Sequence, residues 1–137
     1  MITTSSVLTL SLAKAFGIYM IAAGVSGLLD RDRWAAMLNE FRAHKGLTYI
    51  SGVFVFALGS ALVMVHNIWT DPLAIAISIF CWVAAIEGVV LIAMPDPLMK
   101  WSASLLRPGA VFGFAVGIII LGALLLLLGF TGRVGIA

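Results

Sequence analysis

The chain has 137 residues, 63% of them hydrophobic and only 10% charged, with a mean hydropathy of +1.18. Eight Lys/Arg and six Asp/Glu cannot coat that much apolar side chain against water, which excludes an ordinary soluble globular domain. A formal net charge of +2 with no basic stripe likewise excludes a nucleic-acid partner.

The fold class expected is therefore an all-α membrane protein, a single integral membrane domain over residues 1–137. Crossing roughly 30 Å of hydrocarbon takes about 20 helical residues. Lipid offers the backbone no hydrogen-bond partners, so an isolated span has to be a helix. Four segments qualify: 7–29, 47–65, 72–94 and 109–130. The first could be taken for a secretory signal, but Lys14 lies inside its apolar run and no small-residue cleavage site precedes Asp30, so it is read as a retained span. Lys14 is expected to extend its amine to the outer headgroups.

After the first span comes "RWAAMLNEFRAHKG", which places Trp34, Met37, Leu38 and Phe41 on one helical face, with Asp32, Asn39 and Glu40 opposite. This predicts a short amphipathic helix in the membrane interface, its aromatic face toward acyl chains or toward a docked protein. The turn between the second and third spans, "HNIWTDP", holds His66, Asn67 and Asp71, all able to ligate a metal. Local structure explains it without one: Asn67 ends a helix, Asp71 caps the next with Pro72 in its first turn, and Trp69 sits in the aromatic belt. The third connection, "PDPLMKWSASLLRPG", repeats the interfacial theme through Leu98, Trp101 and Leu105, and its prolines predict a shorter or broken element.

Orientation follows from the basic residues. Arg31, Arg33, Arg42 and Lys45 lie in one connection and Lys100 and Arg107 in another, on the same side of a four-span chain, against Arg133 in the tail. That side should be the cytoplasm, with both termini periplasmic across a bacterial inner membrane. The order of helix, Trp-bearing segment and glycine-spaced helix, met from Gly17 to Met64 and again from Trp82 to Leu128, suggests two similar hairpins from a worn duplication. They would form a parallel repeat about an axis along the membrane normal.

Helix packing is better signalled than chemistry. Apolar helices in lipid associate by close approach at small residues. Gly17 and Gly24 in the first span, Gly52 and Gly59 in the second, and Gly109, Gly113 and Gly117 in the fourth all have helical spacing. They could hold the bundle together, an oligomer, or a foreign subunit. Cys81 is solitary and should pack as a small apolar residue. His44 and His66 fall on opposite sides of the bilayer, which argues against bis-histidine haem. No catalytic residue, metal or cofactor is expected, only bound lipids.

Glu87 is the intramembrane carboxylate to explain. It could hydrogen-bond as a neutral acid to Ser26, Ser51 or Tyr49, meet a partner subunit or a lipid headgroup, or couple proton or ion movement.

The segments "GIYMIAAGVSGLL", "MLNEF", "LTYISG" and "HNIW", followed by "W" and "EG" before a helix ending in "P", together resemble a family of small uncharacterised four-helix bacterial integral membrane proteins across nearly the whole chain. The HN-x-W turn is the most specific element. Glu87 departs from the basic residue that the family often carries before Gly88. The resemblance implies a fold and a setting but no activity. Small multidrug exporters match less well, since their essential carboxylate belongs to the first helix, where this chain has only Lys14.

Three functions are compatible with these residues. The preferred one is a non-catalytic accessory or structural subunit of a larger inner-membrane complex, respiratory or photosynthetic for example. The alternatives are a homo-oligomeric proton-coupled transporter or channel using Glu87, and a membrane-stress or lipid-organising protein acting through the basic amphipathic segment.

Overall fold

A computed structural model describes residues 3–4 and 6–135. Its helices are α1 (Val7–Leu29), α2 (Arg33–Ala43), α3 (Lys45–Val65), α4 (Pro72–Ala93), α5 (Pro95–Leu105) and α6 (Val111–Thr131). The two-residue strands β1 (Thr3–Thr4) and β2 (Arg133–Val134) pair in parallel, which ties the two ends of the described chain together at one face of the bundle. Helices α1, α3, α4 and α6 are each long and apolar enough to cross a membrane. Their outward surfaces carry large apolar side chains such as Tyr19, Phe54, Met64 and Phe130, each at least two-thirds exposed. Water would not tolerate so extensive a surface, whereas hydrocarbon matches it. The architecture is that of a small multi-pass membrane protein.

Local chemistry sets the helix ends. Ser6 caps α1 by accepting the Thr9 backbone N–H at 3.2 Å. Asp71 caps α4 by accepting that of Ala74 at 3.0 Å, with Pro72 in the first turn, as the turn sequence predicts. The expectation of a broken element after α4 is overturned: α5 has 11 residues, the same length as α2. Pro95 and Pro97 fall in its first turn, where backbone N–H groups have no intrahelical acceptor, so the rings remove nothing. The fourth long helix begins at Val111, which leaves Gly109 in the preceding turn.

The long helices form two close pairs, α1 with α6 and α3 with α4. Consecutive long helices α1 and α3 do not pair closely, so the hairpins expected from chain order are not the packing units. The reason lies in the glycines. A methyl added at Gly17 would stand 2.7 Å from the Gly122 carbonyl oxygen, and one at Gly24 would stand 2.8 Å from that of Ala115, both on α6. Gly52 faces Leu91 and Ile92, Gly59 faces Ala84 and Ala85, and Gly88 faces the Phe56 backbone, which seats α3 on α4. Each long helix of one half thus turns some of its glycines or alanines toward a helix of the other half. Exchanging α1–α3 with α4–α6 maps one close pair onto the other.

The core is concentrated at the end that carries the termini, where Ala13, Leu73, Ile77, Cys81 and Leu125 are buried together. Phe16 and Phe80 stack beside them with ring centroids 5.7 Å apart. Cys81 packs there as a small apolar side chain. At the opposite end α2 and α5 touch across the bundle, and Met99 of α5 is buried.

Candidate functional site

Two places concentrate polar groups, one at each end of the bundle. At the terminal end His66 follows α3 and is fully buried. Its Nδ1 lies 3.1 Å from the Ser78 hydroxyl and its Nε2 lies 2.9 Å from that of Thr9. Ser78 donates its one proton to the Ile68 carbonyl at 2.8 Å and accepts the Ile68 N–H at 3.0 Å. It can therefore only accept from the ring, which puts the imidazole proton on Nδ1 and makes Thr9 the donor to Nε2. Burial pushes the His66 imidazole below its ordinary value, against smaller raising effects from its backbone hydrogen bond and from Asp71.

Around this ring the HN-x-W turn closes on itself. Trp69 and Trp82 donate their indole N–H groups to Asn67 Oδ1 at 2.7 and 3.2 Å. Thr4 donates its hydroxyl to Asp71 Oδ2 at 3.0 Å, which couples β1 to the start of α4. Every ring nitrogen of His66 is thus engaged by a hydroxyl. The arrangement locks three helices together at one end. The burial of His66 is not legible in the sequence, because its two hydroxyl partners lie 57 positions before it and 12 positions after it.

At the α2/α5 end an open cavity of about 300 Å³ is lined by residues of α2, α3, α4 and α5. Trp34, Leu38 and Phe41 are half-buried and line it, with Met37 exposed at its rim. The face of α2 expected to meet acyl chains or a docked protein thus turns largely into the bundle; the Trp34 ring lies against Gly27, where a methyl would come within 2.6 Å of it. Trp69 and Trp101 do lie on the outer surface, 50% and 62% exposed. Glu87 also lines this cavity, together with Ser51. Among the described residues no hydrogen bond or ion pair joins the Glu87 carboxyl to Ser26, Ser51 or Tyr49. Ser26 instead accepts from Arg33 Nη1 at 3.1 Å. The intrachain hydrogen bond expected for Glu87 is therefore absent among the described residues, and Glu87 is exposed at the edge of the cavity.

The glycines divide in the same way. Gly17, Gly24, Gly52 and Gly59 all meet another helix, as do Gly27, Gly88, Gly122 and Gly129, which the spacing argument passed over. Gly109, Gly113 and Gly117 have open space where a Cβ would stand, so they seat no helix among the described residues. Helix α6 meets α1 through Ala115, Gly122 and Gly129 on the opposite side. Lys14 lays its stem on Gly129 and its amine 4.9 Å from the Phe130 ring centroid, a cation–π contact near the terminal face.

No family model, curated protein or solved structure matches the chain. The resemblance carried by the HN-x-W turn therefore contributes its residues to the argument and not a family.

Proposed function

We propose that the protein is a non-catalytic accessory or structural subunit, docked through α6 on the rim of a larger complex in a bacterial inner membrane. The observation that carries this reading is the open face at Gly113 and Gly117. The other glycines within the long helices, apart from Gly46 at the start of α3, each meet a neighbouring helix, while these two lie one turn apart on an exposed strip. Small residues on a lipid-facing surface are what a further helix needs for close approach. The six basic residues at the α2/α5 end favour a cytoplasmic position for that end and periplasmic termini. Interfacial placement of α2 and α5, and descent of the two halves from one repeat, agree with their matched lengths and exchanged packing. The test is purification of the tagged chain in mild detergent, with native gels and mass spectrometry of what accompanies it. Co-migration with a defined set of membrane subunits, lost in Gly113→Leu/Gly117→Leu, is expected. Migration only as a monomer or homo-oligomer would exclude the reading.

A second reading, a proton-coupled homo-oligomer, is favoured by Glu87 bordering a cavity with no hydrogen-bond partner among the described residues. It requires pH-driven flux in proteoliposomes that Glu87→Gln abolishes.

A further inference from the structure

The cavity beside Glu87 does not stand alone. A second one of about 360 Å³ lies nearer the helix ends, and the two share Phe41, Leu91 and Met99 as a common wall. The inner chamber is lined mainly by apolar side chains. The outer one is lined by Arg42 and Lys45, with Asp96 the carboxylate among its lining residues, so these three ionised groups sum to +1 (two cations against one anion). Neither cation makes an ion pair among the described residues; the pairs there are Asp30–Arg33 and Glu40–His44. Buried Thr48 donates its hydroxyl to the Phe41 carbonyl at 2.6 Å, which pins the α2–α3 turn between the exposed Arg42 and Lys45.

The rim also has a defined depth. It lies where α3 begins at Lys45 and α4 ends at Ala93, the ends of two candidate spans and so the level of phospholipid headgroups. Glu87 is six residues farther in, about 9 Å along the helix. A cationic rim at headgroup depth, opening beside an apolar chamber, complements a molecule with an anionic head and an aliphatic tail. Basic pockets between membrane helices hold anionic lipid headgroups by this logic.

The geometry points to an anionic glycerophospholipid as the occupant, its phosphate between Arg42 and Lys45 and one acyl chain in the chamber bounded by Leu91, Leu98 and Glu87. The guanidinium of Arg42 can engage two phosphate oxygens at once, and Lys45 adds a point charge. Both chambers fall within the size range of small-molecule sites, roughly 300–1,000 Å³. This site does not depend on α6 docking to another subunit, because it is complete within one chain.

The test uses the full chain purified in mild detergent, incubated with equimolar phosphatidylglycerol and phosphatidylcholine and read by native mass spectrometry. Preferential retention of phosphatidylglycerol is expected. Arg42→Ala/Lys45→Ala should lower it on the order of tenfold or more. Ser102→Phe, which fills the chamber while leaving both cations, should also reduce it. Arg31→Ala removes a charge beside Phe112, outside the cleft, and should leave retention unchanged. Thermal unfolding of each variant confirms that it is folded. Equal retention of both lipids, undiminished retention in folded Arg42→Ala/Lys45→Ala, or an equal loss in Arg31→Ala would overturn the assignment. So would competition by glycerol phosphate as effective as that by phosphatidylglycerol, which would indicate a free-anion site.

Discussion

Nε2 of His66 stands 2.9 Å from the Thr9 hydroxyl, joining the end of α3 to the first turns of α1 across 57 positions of sequence. With the ring proton on Nδ1, Thr9 is the donor that satisfies a buried acceptor. Thr9→Val keeps the shape and removes that donor, so it should lower stability by about 1–3 kcal/mol, whereas Thr9→Ser should stay near wild type. Thermal unfolding in detergent measures both.

The same ring sets a pH dependence. Burial holds His66 neutral in the folded protein below its ordinary value of 6.5, while the unfolded chain takes up the proton at that value. The unfolded state then binds more protons between the two values, so the contribution of this group is complete above pH 6.5 and is lost as pH falls below it. Unfolding midpoints recorded from pH 8 down to 5 should decline more steeply for wild type than for His66→Gln. Equal slopes would assign the decline to other groups.

At the terminal end Asp71 serves two elements, capping α4 and accepting from Thr4. Asp71→Ala should cost about 0.5–2 kcal/mol through the lost cap, and Asp71→Ser should restore most of it. Thr4→Val should leave the cap intact and raise amide exchange locally at Thr4 and Gly135, whose N–H donates to the Thr4 carbonyl. Hydrogen-exchange mass spectrometry separates these outcomes.

The long helices were legible because their apolar runs are continuous and lipid leaves the backbone no other closure. The cap at Asp71 was legible because N-capping is a local bond. What packs on what was not, since a glycine's spacing defines a face without saying which neighbour occupies it. Gly113 and Gly117 have the four-residue step that attracts attention, while Gly122 and Gly129, seven apart, carry the contact with α1. The fate of α2 escaped for the same reason: Trp34, Leu38 and Phe41 form an apolar stripe, and a stripe reads alike against lipid or against α3, α4 and α5.

This division of the glycines is testable. A methyl at Gly88 would collide with the Phe56 backbone, which cannot move as a side-chain end could, so Gly88→Ala should destabilise by about 1–3 kcal/mol. Gly117→Ala meets open space within a helix, where Ala is favoured over Gly by roughly 0.5–1 kcal/mol, and should match or exceed wild type. Equal destabilisation by both would contradict the pairing of α3 with α4.

The last expectation concerns Glu87, which is exposed, has no hydrogen-bond partner among the described residues and borders a largely apolar cavity. Were it an internal donor, Glu87→Leu would weaken the bundle by an average of about 0.6 kcal/mol, the usual worth of such bonds between membrane helices. Its position predicts the opposite sign. Replacing a poorly satisfied carboxyl with an isobutyl group should leave the isolated protein at least as stable, with a gain of roughly 1–2 kcal/mol. Glu87→Gln should lie between the two. Unfolding midpoints of the three forms in one detergent decide between them, and a Leu variant less stable than wild type would mean that the carboxyl is held by a bond within the bundle. Intact stability in both variants, together with complete loss of pH-driven flux in proteoliposomes, would instead identify Glu87 as a proton-carrying group, since neither Gln nor Leu can release a proton.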